Sequence, residues 1–262
     1  MQYNAQAKVN IFLKIVGIRG SYHELVSRFM LVSNLFDTLT FVPKSSSEPF
    51  ELVGDFNCTL EQNTLYKIFK TLQCHGFAKE VEAIMREYAL HVKKVIPQGA
   101  GLGGGSSDAA TFLTMLNDVG NLKLTLQEKM ELGSKVGADV AFFASGYASA
   151  NVRGIGEVVE KYDEEALDLE VFTPPLACET ARVYKMYREY FLQSMNIPLA
   201  KVMVEMKSKA LLKAYGKEAL NDLYPACLKA YPTLASYAKE GWFFSGSGSS
   251  FFRMKEKVEQ NG

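Results

Sequence analysis

A run of glycines near the middle of the chain constrains the fold more than any other feature. Five of the seven residues at positions 99–105 are glycine: Gly99, Gly101, Gly103, Gly104 and Gly105. Glycine accepts positive φ and lets a ligand approach the backbone, but it loses much conformational entropy on folding. So many glycines together therefore indicate a functional loop. Ser106, Ser107 and Asp108 follow, and apolar residues then recur at helical spacing. The segment predicts a glycine loop that opens onto a helix, with the serines as the helix N-cap.

A glycine loop before a helix N-terminus is typical of an anion site, because free N–H groups and the helix dipole favour phosphate. A Walker A loop is excluded, since no Lys follows the last glycine. The spacing Gly99-x-Gly101-x-x-Gly104 matches the dinucleotide fingerprint, with residues 91–96 as a candidate strand before it. In that fingerprint an acidic residue about 20 positions further on ends a second strand. The candidate here is Asp118, which would lie at the end of a helix instead. A flexible turn without a ligand is the third interpretation, and phosphate binding is the one that we favour.

Length and composition limit the number of domains and the classes of protein to which the chain can belong. A chain of 262 residues with 48% hydrophobic content can bury a sizeable core in one large domain or two smaller ones. Lys plus Arg equals Asp plus Glu at 29 each, so no basic surplus indicates nucleic acid or an anionic membrane as a partner. No stretch approaches the ~20 apolar residues of a membrane span, and Lys8, Asn10 and Lys14 interrupt any signal-peptide core. A cytoplasmic location is therefore predicted.

The cysteines and histidines do not predict a protein metal site. The four cysteines are far apart and form no Cys-x-x-Cys pair, which argues against a disulfide framework or a zinc site. The three histidines, His23, His75 and His91, have no spacing that would place two on one helical face. Any metal is expected to arrive with a nucleotide, and no tightly bound cofactor is expected.

The N-terminal segment alternates in the way that a strand does. Residues 7–15 place apolar side chains on one face: Ala7, Val9, Ile11, Leu13 and Ile15. Lys8, Asn10, Phe12 and Lys14 take the other face, and from the pattern alone we expect Lys8 and Asn10 to face water. A glycine-bounded turn follows and presents Tyr22 beside His23, which is a weak signal of function by itself.

Three further features give weaker signals, and the first of them leaves two alternatives open. Asp139 stands alone beside an apolar run in residues 137–143, where an N-cap role and a catalytic role are equally compatible with the pattern. Residues 242–252 predict two apolar strands joined by a Gly-Ser turn. Tyr184, in a predicted helix, is typical of a packed aromatic residue.

The glycine loop carries a specific resemblance. The string Pro97-x-Gly-Ala-Gly-Leu-Gly-Gly-Gly-Ser-Ser-Asp-Ala-Ala resembles the phosphate loop of the superfamily of galactokinase, homoserine kinase, mevalonate kinase and phosphomevalonate kinase. Residues 7–10, 137–140 and 242–252 are similar to further motifs of that superfamily, in the same order. The greatest resemblance is to the branch that uses ATP to phosphorylate the 2-hydroxyl of 4-diphosphocytidyl-2-C-methyl-D-erythritol in the non-mevalonate isoprenoid pathway.

This resemblance implies a fold and a set of partners. The fold is a two-lobed α/β (α+β) small-molecule kinase, with an ATP-binding domain over residues 1–155 and a ferredoxin-like domain over residues 156–262. The partners are ATP with Mg²⁺ and a small-molecule substrate that is a cytidine diphosphate derivative, with neither nucleic acid nor membrane. The protein is expected to be a monomer or a homodimer.

The resemblance also implies roles for individual residues. Lys8 and Asp139 would be catalytic, with Lys8 between the carboxylate and the phosphate. Mg²⁺ would be carried by ATP, aided by the hydroxyl of Ser106 or Ser107. The ATP-binding residues would be Pro97, Gln98, Gly99, Ala100, Gly101, Leu102, Gly103, Gly104, Gly105, Ser106 and Ser107. The substrate-binding residues would be Asn10, Tyr22, His23, Tyr184, Gly246 and Gly248.

The chain departs from the family pattern at two places. Gly20-Ser21 replaces an Asp-Gly step before Tyr22 in a turn one residue shorter, and Ala141 replaces a proline after Asp139. Three alternatives to the implied function stay open: a sister kinase acting on homoserine or mevalonate, a nicotinamide-dependent oxidoreductase, and a catalytically silent nucleotide sensor. The presence of both Lys8 and Asp139 argues against the sensor.

Overall fold

Helices and strands are both abundant in the computed structural model, which describes residues 1–255. The strands are β1 (Gln2–Arg19), β2 (Tyr22–Pro43), β3 (Leu52–Val53), β4 (Tyr88–Lys93), β5 (Ser149–Gly154), β6 (Val158–Lys161), β7 (Leu169–Phe172), β8 (Phe243–Phe244) and β9 (Phe251–Met254). The helices are α1 (Thr64–Leu72), α2 (Ala78–Glu87), α3 (Gly104–Gly120), α4 (Leu126–Ser134), α5 (Val140–Ser145), α6 (Thr180–Tyr190), α7 (Ile197–Glu205), α8 (Ser208–Ala214), α9 (Lys217–Leu220) and α10 (Leu223–Ala230). The predicted mixed α/β class is confirmed.

Strand β2 organises the larger sheet. Over residues 22–40 it pairs antiparallel with β1, which lies along one edge. On its other edge, residues 38–43 pair with β4 and residues 25–30 pair with β5, and both pairings are antiparallel. The strand order is therefore β3–β4–β2–β5–β6, with β1 against β2. One long strand thus connects two halves of the sheet, and the helices of the two lobes pack against it.

A register shift in the β1–β2 hairpin changes which side chains share a face. Asn10 pairs with Phe29 and Phe12 pairs with Arg28, so Ile11 has no partner of its own. An extra residue of this kind reverses the side-chain alternation that follows it. Leu13 and Ile15 accordingly pack in a different core cluster from Ala7, Val9 and Ile11. The prediction of one continuous apolar face over residues 7–15 is wrong.

The polar residues of β1 also differ from their prediction. Lys8, Asn10 and Lys14 are all buried, so the expectation that Lys8 and Asn10 face water is wrong. Lys14 forms an ion pair with Asp222, whose other carboxylate oxygen accepts from the N–H of Ile15. The partners that make this burial tolerable come from distant parts of the chain, which a local pattern does not reveal.

Helix α3 begins where the glycine run ends. Gly103 is its N-cap residue with φ of 73°, and the helix starts at Gly104. Ser106 and Ser107 therefore lie inside the first turn, and the prediction that the serines are the N-cap is wrong. Glycine adopts this left-handed conformation without steric cost, so the non-helical residue before α3 is Gly103 and the helix has already begun at Ser106. The buried face of α3 then packs with α1, α2 and strands of the larger sheet in one apolar cluster.

The C-terminal lobe has its own small sheet and shares a core with the first lobe. Its antiparallel strands have the order β7–β9–β8, and the predicted hairpin of residues 242–252 is confirmed as β8 and β9. Helices α7, α8 and α9 pack against β1. One core cluster accordingly combines Val9 and Phe12 with Leu211, Leu220 and Phe252.

The segment around residue 155, where the two domains were expected to divide, connects two paired strands of the larger sheet. Strand β6 pairs with β5 in the larger sheet, so residue 155 falls inside this strand pair. We propose that the lobes divide after Lys161 instead. Residues 256–262, which belong to the expected C-terminal domain, lie outside the described residues. No helix within residues 1–255 is long and apolar enough to cross a membrane.

Candidate active site

A cavity of about 910 Å³ lies between the glycine loop, the N-terminal part of β1 and helix α6. Most of the residues singled out from the sequence line it. They are Lys8, Asn10, Tyr22, His23, Pro97, Gln98, Gly99, Ala100, Gly101, Leu102, Gly103, Gly104, Gly105, Ser106, Asp139, Tyr184 and Gly246. Ser107 and Gly248 are the two that do not line it. Ser107 is buried in α3, and Gly248 packs behind the glycine loop.

Lys8 and Asp139 meet inside this cavity. Lys8 Nζ lies 3.3 Å from Asp139 Oδ2, and it donates a hydrogen bond of 2.7 Å to Asn10 Oδ1. The same ammonium lies 4.3 Å from the centroid of the Phe29 ring, within the range of a cation–π contact. The Lys8 side chain is only 5% exposed, so these few neighbours take the place of water around its ammonium group.

The position of Asp139 bears on the choice between an N-cap role and a catalytic role. Asp139 is the N-cap residue of α5, yet its side chain makes no capping hydrogen bond. Its carboxylate lines the cavity instead, where its side chain is 31% exposed. The carboxylate is therefore accessible to a bound molecule and is held beside an ammonium.

The glycine loop takes a conformation that requires glycine at several positions. Gly99, Gly101 and Gly103 all have φ between 70° and 79°. A Cβ at Gly101 would also lie 2.7 Å from the carbonyl oxygen of Ser245. The N–H of Lys8 donates to the carbonyl oxygen of Leu102 at 2.9 Å, which fixes the loop to β1. The loop ends at the N-terminus of α3, where free N–H groups favour an anion.

The loop between β8 and β9 packs directly against the glycine loop. The N–H of Ser250 donates to the carbonyl oxygen of Ala100 at 3.2 Å, and the N–H of Asn10 donates to Ser245 Oγ at 3.2 Å. A Cβ on Gly248 would lie 2.1 Å from the carbonyl carbon of Ala100, so only glycine fits there. Asn221 supports this arrangement, since its Nδ2 donates to the carbonyl oxygens of Phe244 and Gly246 at 3.2 and 3.0 Å.

A buried charged triad, Asp37–Lys94–Asp108, supports the glycine loop at its two ends. Lys94 Nζ donates to Asp37 and, at 2.6 Å, to Asp108 Oδ2. Asp37 Oδ1 accepts from the N–H of Ile96 at 2.8 Å, just before the loop, while Asp108 lies in α3 just after it. Burial raises the pKa of Asp108 to about 7, although the Lys94 charge opposes this shift. Burial alone would lower the pKa of Lys94, but the two carboxylates outweigh it and raise that pKa.

Aromatic side chains form the end of the cavity next to α6. Tyr22 is 62% exposed, whereas His23 beside it is buried. The rings of His23 and Tyr184 have centroids 5.1 Å apart and are tilted by 41°. Burial, followed by the nearby charge of Arg188, lowers the pKa of His23. Burial, with a further contribution from Asp139, raises the pKa of the Tyr184 phenol.

The cavity extends past the residues that sequence reasoning identified. Beyond the glycine loop it is lined by Phe56, Cys58, Gln62, Asn63, Thr64 and Lys94. Thr64 Oγ1 donates to the carbonyl oxygen of Gly105 at 2.7 Å, and Gln98 Nε2 donates to that of Asp55 at 3.0 Å, which joins this wall to the loop. At the opposite end the cavity also includes Lys185 and Arg188. None of these residues belongs to a recognisable motif, although the spacing of Tyr184 and Arg188 on a predicted helix places them on one face.

The geometry combines four chemical functions in one cavity. A loop of backbone N–H groups can hold a polyanion, a carboxylate can accept a proton, and an ammonium beside it can stabilise negative charge. Aromatic rings at the far end can stack on a planar base. Within residues 1–255 no group of three or more His, Cys, Asp or Glu side chains is arranged to hold a metal ion.

Comparison with known proteins identifies the family. Residues 63–147 match the family model of the GHMP kinases N terminal domain. A relative from Sulfurimonas denitrificans named 4-diphosphocytidyl-2-C-methyl-D-erythritol kinase is 53% identical over 260 residues, which cover 97% of each chain. A crystal structure of 4-(cytidine 5'-diphospho)-2C-methyl-D-erythritol kinase is 31% identical, with a TM-score of 0.72 over 98% of this chain and 90% of the other.

More distant structures show the fold alone. The mevalonate kinase of Methanococcus jannaschii is 15% identical, with a TM-score of 0.59 over 98% of this chain and 90% of the other. The two-lobed kinase fold expected from the resemblance is thereby confirmed, and mevalonate kinase is far less similar in sequence than the relatives above. Through its 53% identity over nearly the whole length, the chain belongs to the family of 4-diphosphocytidyl-2-C-methyl-D-erythritol kinases, among the GHMP kinases.

Proposed function

We propose that this kinase transfers the γ-phosphoryl group of ATP to the 2-hydroxyl of 4-diphosphocytidyl-2-C-methyl-D-erythritol, with Asp139 and Lys8 as its catalytic residues. The observation that carries these roles is the 3.3 Å contact between Lys8 Nζ and Asp139 Oδ2, in a cavity bounded by an anion-binding loop and an aromatic pocket. A phosphoryl group and an alcohol brought to this contact would meet a base and a cation together.

The glycine loop would hold the triphosphate of ATP. The backbone of residues 97–106 lines the cavity at the N-terminus of α3, and its N–H groups would bind the phosphate oxygens. The loop is held on both sides, by Lys8 through Leu102 and by Ser250 through Ala100. Such support limits the reorganisation needed when charge develops on the transferred group. The adenosine part would occupy the extension of the cavity beside Phe56 and Thr64.

Asp139 would orient the acceptor hydroxyl and take its proton. Phosphoryl transfer passes through a charge-dispersed transition state, so the protein acts mainly by positioning groups and neutralising charge. Lys8 lies beside the carboxylate, and its ammonium would bind the γ-phosphoryl oxygens as the alcohol approaches. Asn10 Oδ1 fixes this ammonium, while Asn10 Nδ2 donates to Ser27 Oγ at 2.9 Å and is fixed in turn.

Magnesium is expected to enter with ATP. The hydroxyl of Ser106 lines the cavity in the first turn of α3, and hydroxyl and phosphate oxygens are the hard donors that Mg²⁺ prefers. Ser107 is 2% exposed and does not line the cavity, so Ser106 is the serine that would hold the ion. When bound, Mg²⁺ would neutralise charge on the β- and γ-phosphates.

The aromatic end of the cavity would hold the cytidine. Tyr22 and Tyr184 would stack on the two faces of the cytosine, and His23 would hydrogen-bond its edge. Both tyrosines line the cavity, and His23 Nε2 is buried without a hydrogen-bond partner among the described residues. The Gly246 backbone lines the same cavity and would border the diphosphate or the erythritol. The role of Gly248 would be indirect, through its packing on the glycine loop.

A coupled ADP-release assay tests this function. The purified protein with Mg·ATP is supplied in parallel with the diphosphocytidyl substrate, homoserine and mevalonate. Turnover of the first alone is expected, and ³¹P NMR of the product should show a new phosphomonoester at the 2-position. Equal or faster turnover of mevalonate or homoserine would contradict the proposed substrate. A thermal shift with NAD but none with Mg·ATP would contradict the kinase assignment itself.

A further inference from the structure

Arg188 lies on the same face of α6 as Tyr184, one turn further along the helix. Both residues line the aromatic end of the cavity. The Arg188 side chain, however, also reaches across to the hairpin between β1 and β2. It therefore connects the helix that carries one side of the proposed cytidine pocket to the turn that carries the other.

The turn that Arg188 contacts is very short. Arg19 pairs with Tyr22, so only Gly20 and Ser21 lie between the two strands. Gly20 has φ of 62°, a conformation typical of tight hairpin turns. Arg188 Nη2 donates to the carbonyl oxygen of Ser21 at 3.0 Å and, more weakly, to that of Gly20 at 3.4 Å. These hydrogen bonds tie α6 to the two residues that directly precede Tyr22.

The same wall of the cavity contains two buried polar atoms without partners. Among the described residues, neither Arg188 Nε nor His23 Nε2 has a hydrogen-bond acceptor or donor in reach. An unsatisfied buried polar atom is costly, so two of them among the residues that line one cavity are unusual in a region with only a structural role. The Arg188 charge also disfavours protonation of His23, in addition to the effect of burial.

We infer that Arg188 is a positioning residue for the cytidine end of the substrate: it holds the Gly20–Ser21 turn against α6 and so fixes Tyr22 and His23 opposite Tyr184. This role rests on the proposed function, since it concerns the same pocket. Arg188 acts through the turn and through His23, and it takes no part in phosphoryl transfer.

Steady-state kinetics of Arg188→Ala test this role, with Arg182→Ala as the matched control. Arg182 is on the same helix, but its guanidinium lies 4.7 Å from the Tyr231 ring centroid and does not line the cavity. Arg188→Ala is expected to raise KM for the diphosphocytidyl substrate about 10-fold or more, which corresponds to about 1.4 kcal/mol. KM for ATP should change less than twofold, and Arg182→Ala should change neither constant.

A second pair of variants distinguishes the effect of Arg188 on the position of the turn from the effect of its charge on His23. Arg188→Lys keeps the charge, but a single ammonium does not reproduce the planar fork of the guanidinium. It should raise the substrate KM about threefold or more and leave the NMR titration midpoint of His23 in place. Arg188→Gln removes the charge and should move that midpoint upward, towards the ordinary value for histidine. The His23 resonance is assigned by its loss in His23→Gln.

The outcomes separate this inference from the function on which it rests. A wild-type enzyme that does not turn over the diphosphocytidyl substrate would overturn the proposed function. A wild-type enzyme that does, with an unchanged substrate KM in both Arg188→Ala and Arg188→Lys, would overturn only the role of Arg188. An equal rise in both KM values would also overturn it, because it would indicate general structural damage. If Arg188→Ala does not fold, Arg188→Lys decides by the same criterion.

Discussion

Lys8 Nζ and Asp139 Oδ2 lie 3.3 Å apart, although Lys8 is on strand β1 and Asp139 immediately precedes helix α5. An exposed pair of this kind typically contributes 0–1 kcal/mol to stability. Here the Lys8 side chain is almost fully buried, which adds a desolvation cost, so stability alone is a poor reason for the pair. Its place in the cavity agrees with a role in chemistry.

Asp139→Asn is expected to lower kcat by about 10²–10⁴-fold, because the amide cannot take the proton of the acceptor hydroxyl. The affinity for ADP should change less than twofold, as measured by calorimetry, since the glycine loop is untouched. Asp118→Asn is the matched control, because Asp118 lies near the end of α3 and accepts a hydrogen bond from the Tyr3 hydroxyl outside the cavity. A near-normal kcat in Asp139→Asn would rule out Asp139 as the base.

Gly248→Ala tests the contact between the two glycine loops. The new Cβ would lie 2.1 Å from the carbonyl carbon of Ala100, which is backbone and has little freedom to move away. We expect KM for ATP to rise at least about 10-fold and the free energy of unfolding to fall by about 1–3 kcal/mol, as for overpacked sites. Gly216→Ala is the control, since its Cβ would meet only the end of the Glu218 side chain, at 3.3 Å. Wild-type kinetics in Gly248→Ala would show that the loops can separate without loss.

Arg28→Met is expected to destabilise the fold strongly. Arg28 is fully buried, and its guanidinium bonds Asn151 at 2.6 Å and the carbonyl oxygen of Val204 at 2.7 Å, while it also pairs with Glu164. Removal of one partner from such a site costs about 3–5 kcal/mol, because it leaves a buried charge unpaired. Urea denaturation measures this loss.

Two companion variants define the expected pattern for Arg28. Arg153→Met removes a half-exposed arginine that pairs with Glu160, and it should cost less than about 1 kcal/mol. The double variant Arg28→Met, Glu164→Gln should lose less free energy than the sum of the two single variants, since neither charge is then left alone. Strict additivity would argue against coupling between Arg28 and Glu164.

Asp108 predicts a pH dependence of stability. Its folded pKa is raised to about 7, above the ordinary value of 3.8, so the folded state binds a proton more readily than the unfolded state. The contribution of Asp108 is therefore fully present below about pH 4 and is lost as the pH rises through about 7. Between these values the slope approaches one proton, or about 1.4 kcal/mol per pH unit.

Asp108→Asn removes this titration. In nucleotide-free and magnesium-free buffer, the free energy of unfolding of the wild type should fall more steeply from pH 5 to pH 7 than that of the variant. Lys94 and Asp37 are unchanged in both proteins, so the difference between the two slopes isolates Asp108. Parallel slopes would contradict a raised pKa for Asp108.

The resemblance to a kinase superfamily implied most of the candidate site, because the glycine loop, the strand segment with Lys8 and the segment with Asp139 each match a motif that is local in sequence. The family resemblance implied that Lys8 would lie beside the Asp139 carboxylate, and the structure brings the two side chains together. Features that depend on pairing between distant segments were missed. The register shift at Ile11 arises only when β1 pairs with β2, and it reversed the predicted faces of Leu13 and Ile15.

The remaining differences have the same physical origin. The start of α3 at Gly104 depends on the left-handed conformation of Gly103, and sequence preference for a serine N-cap does not contain that information. Arg188 was missed because its partners are two backbone carbonyls, which carry no sequence signature. Lys94 was missed because the carboxylates that hold it come from β2 and α3.

The core cluster that unites Val9 and Phe12 with Leu211 and Phe252 has a consequence for engineering. Residues 1–161 expressed alone would expose the apolar side chains of β1 that α7, α8 and α9 normally cover, and such a fragment would tend to aggregate. A chimera that exchanges the C-terminal half between two enzymes of this family would need to exchange the matching positions of β1 as well. The two lobes therefore have to be exchanged together, because they share one apolar core.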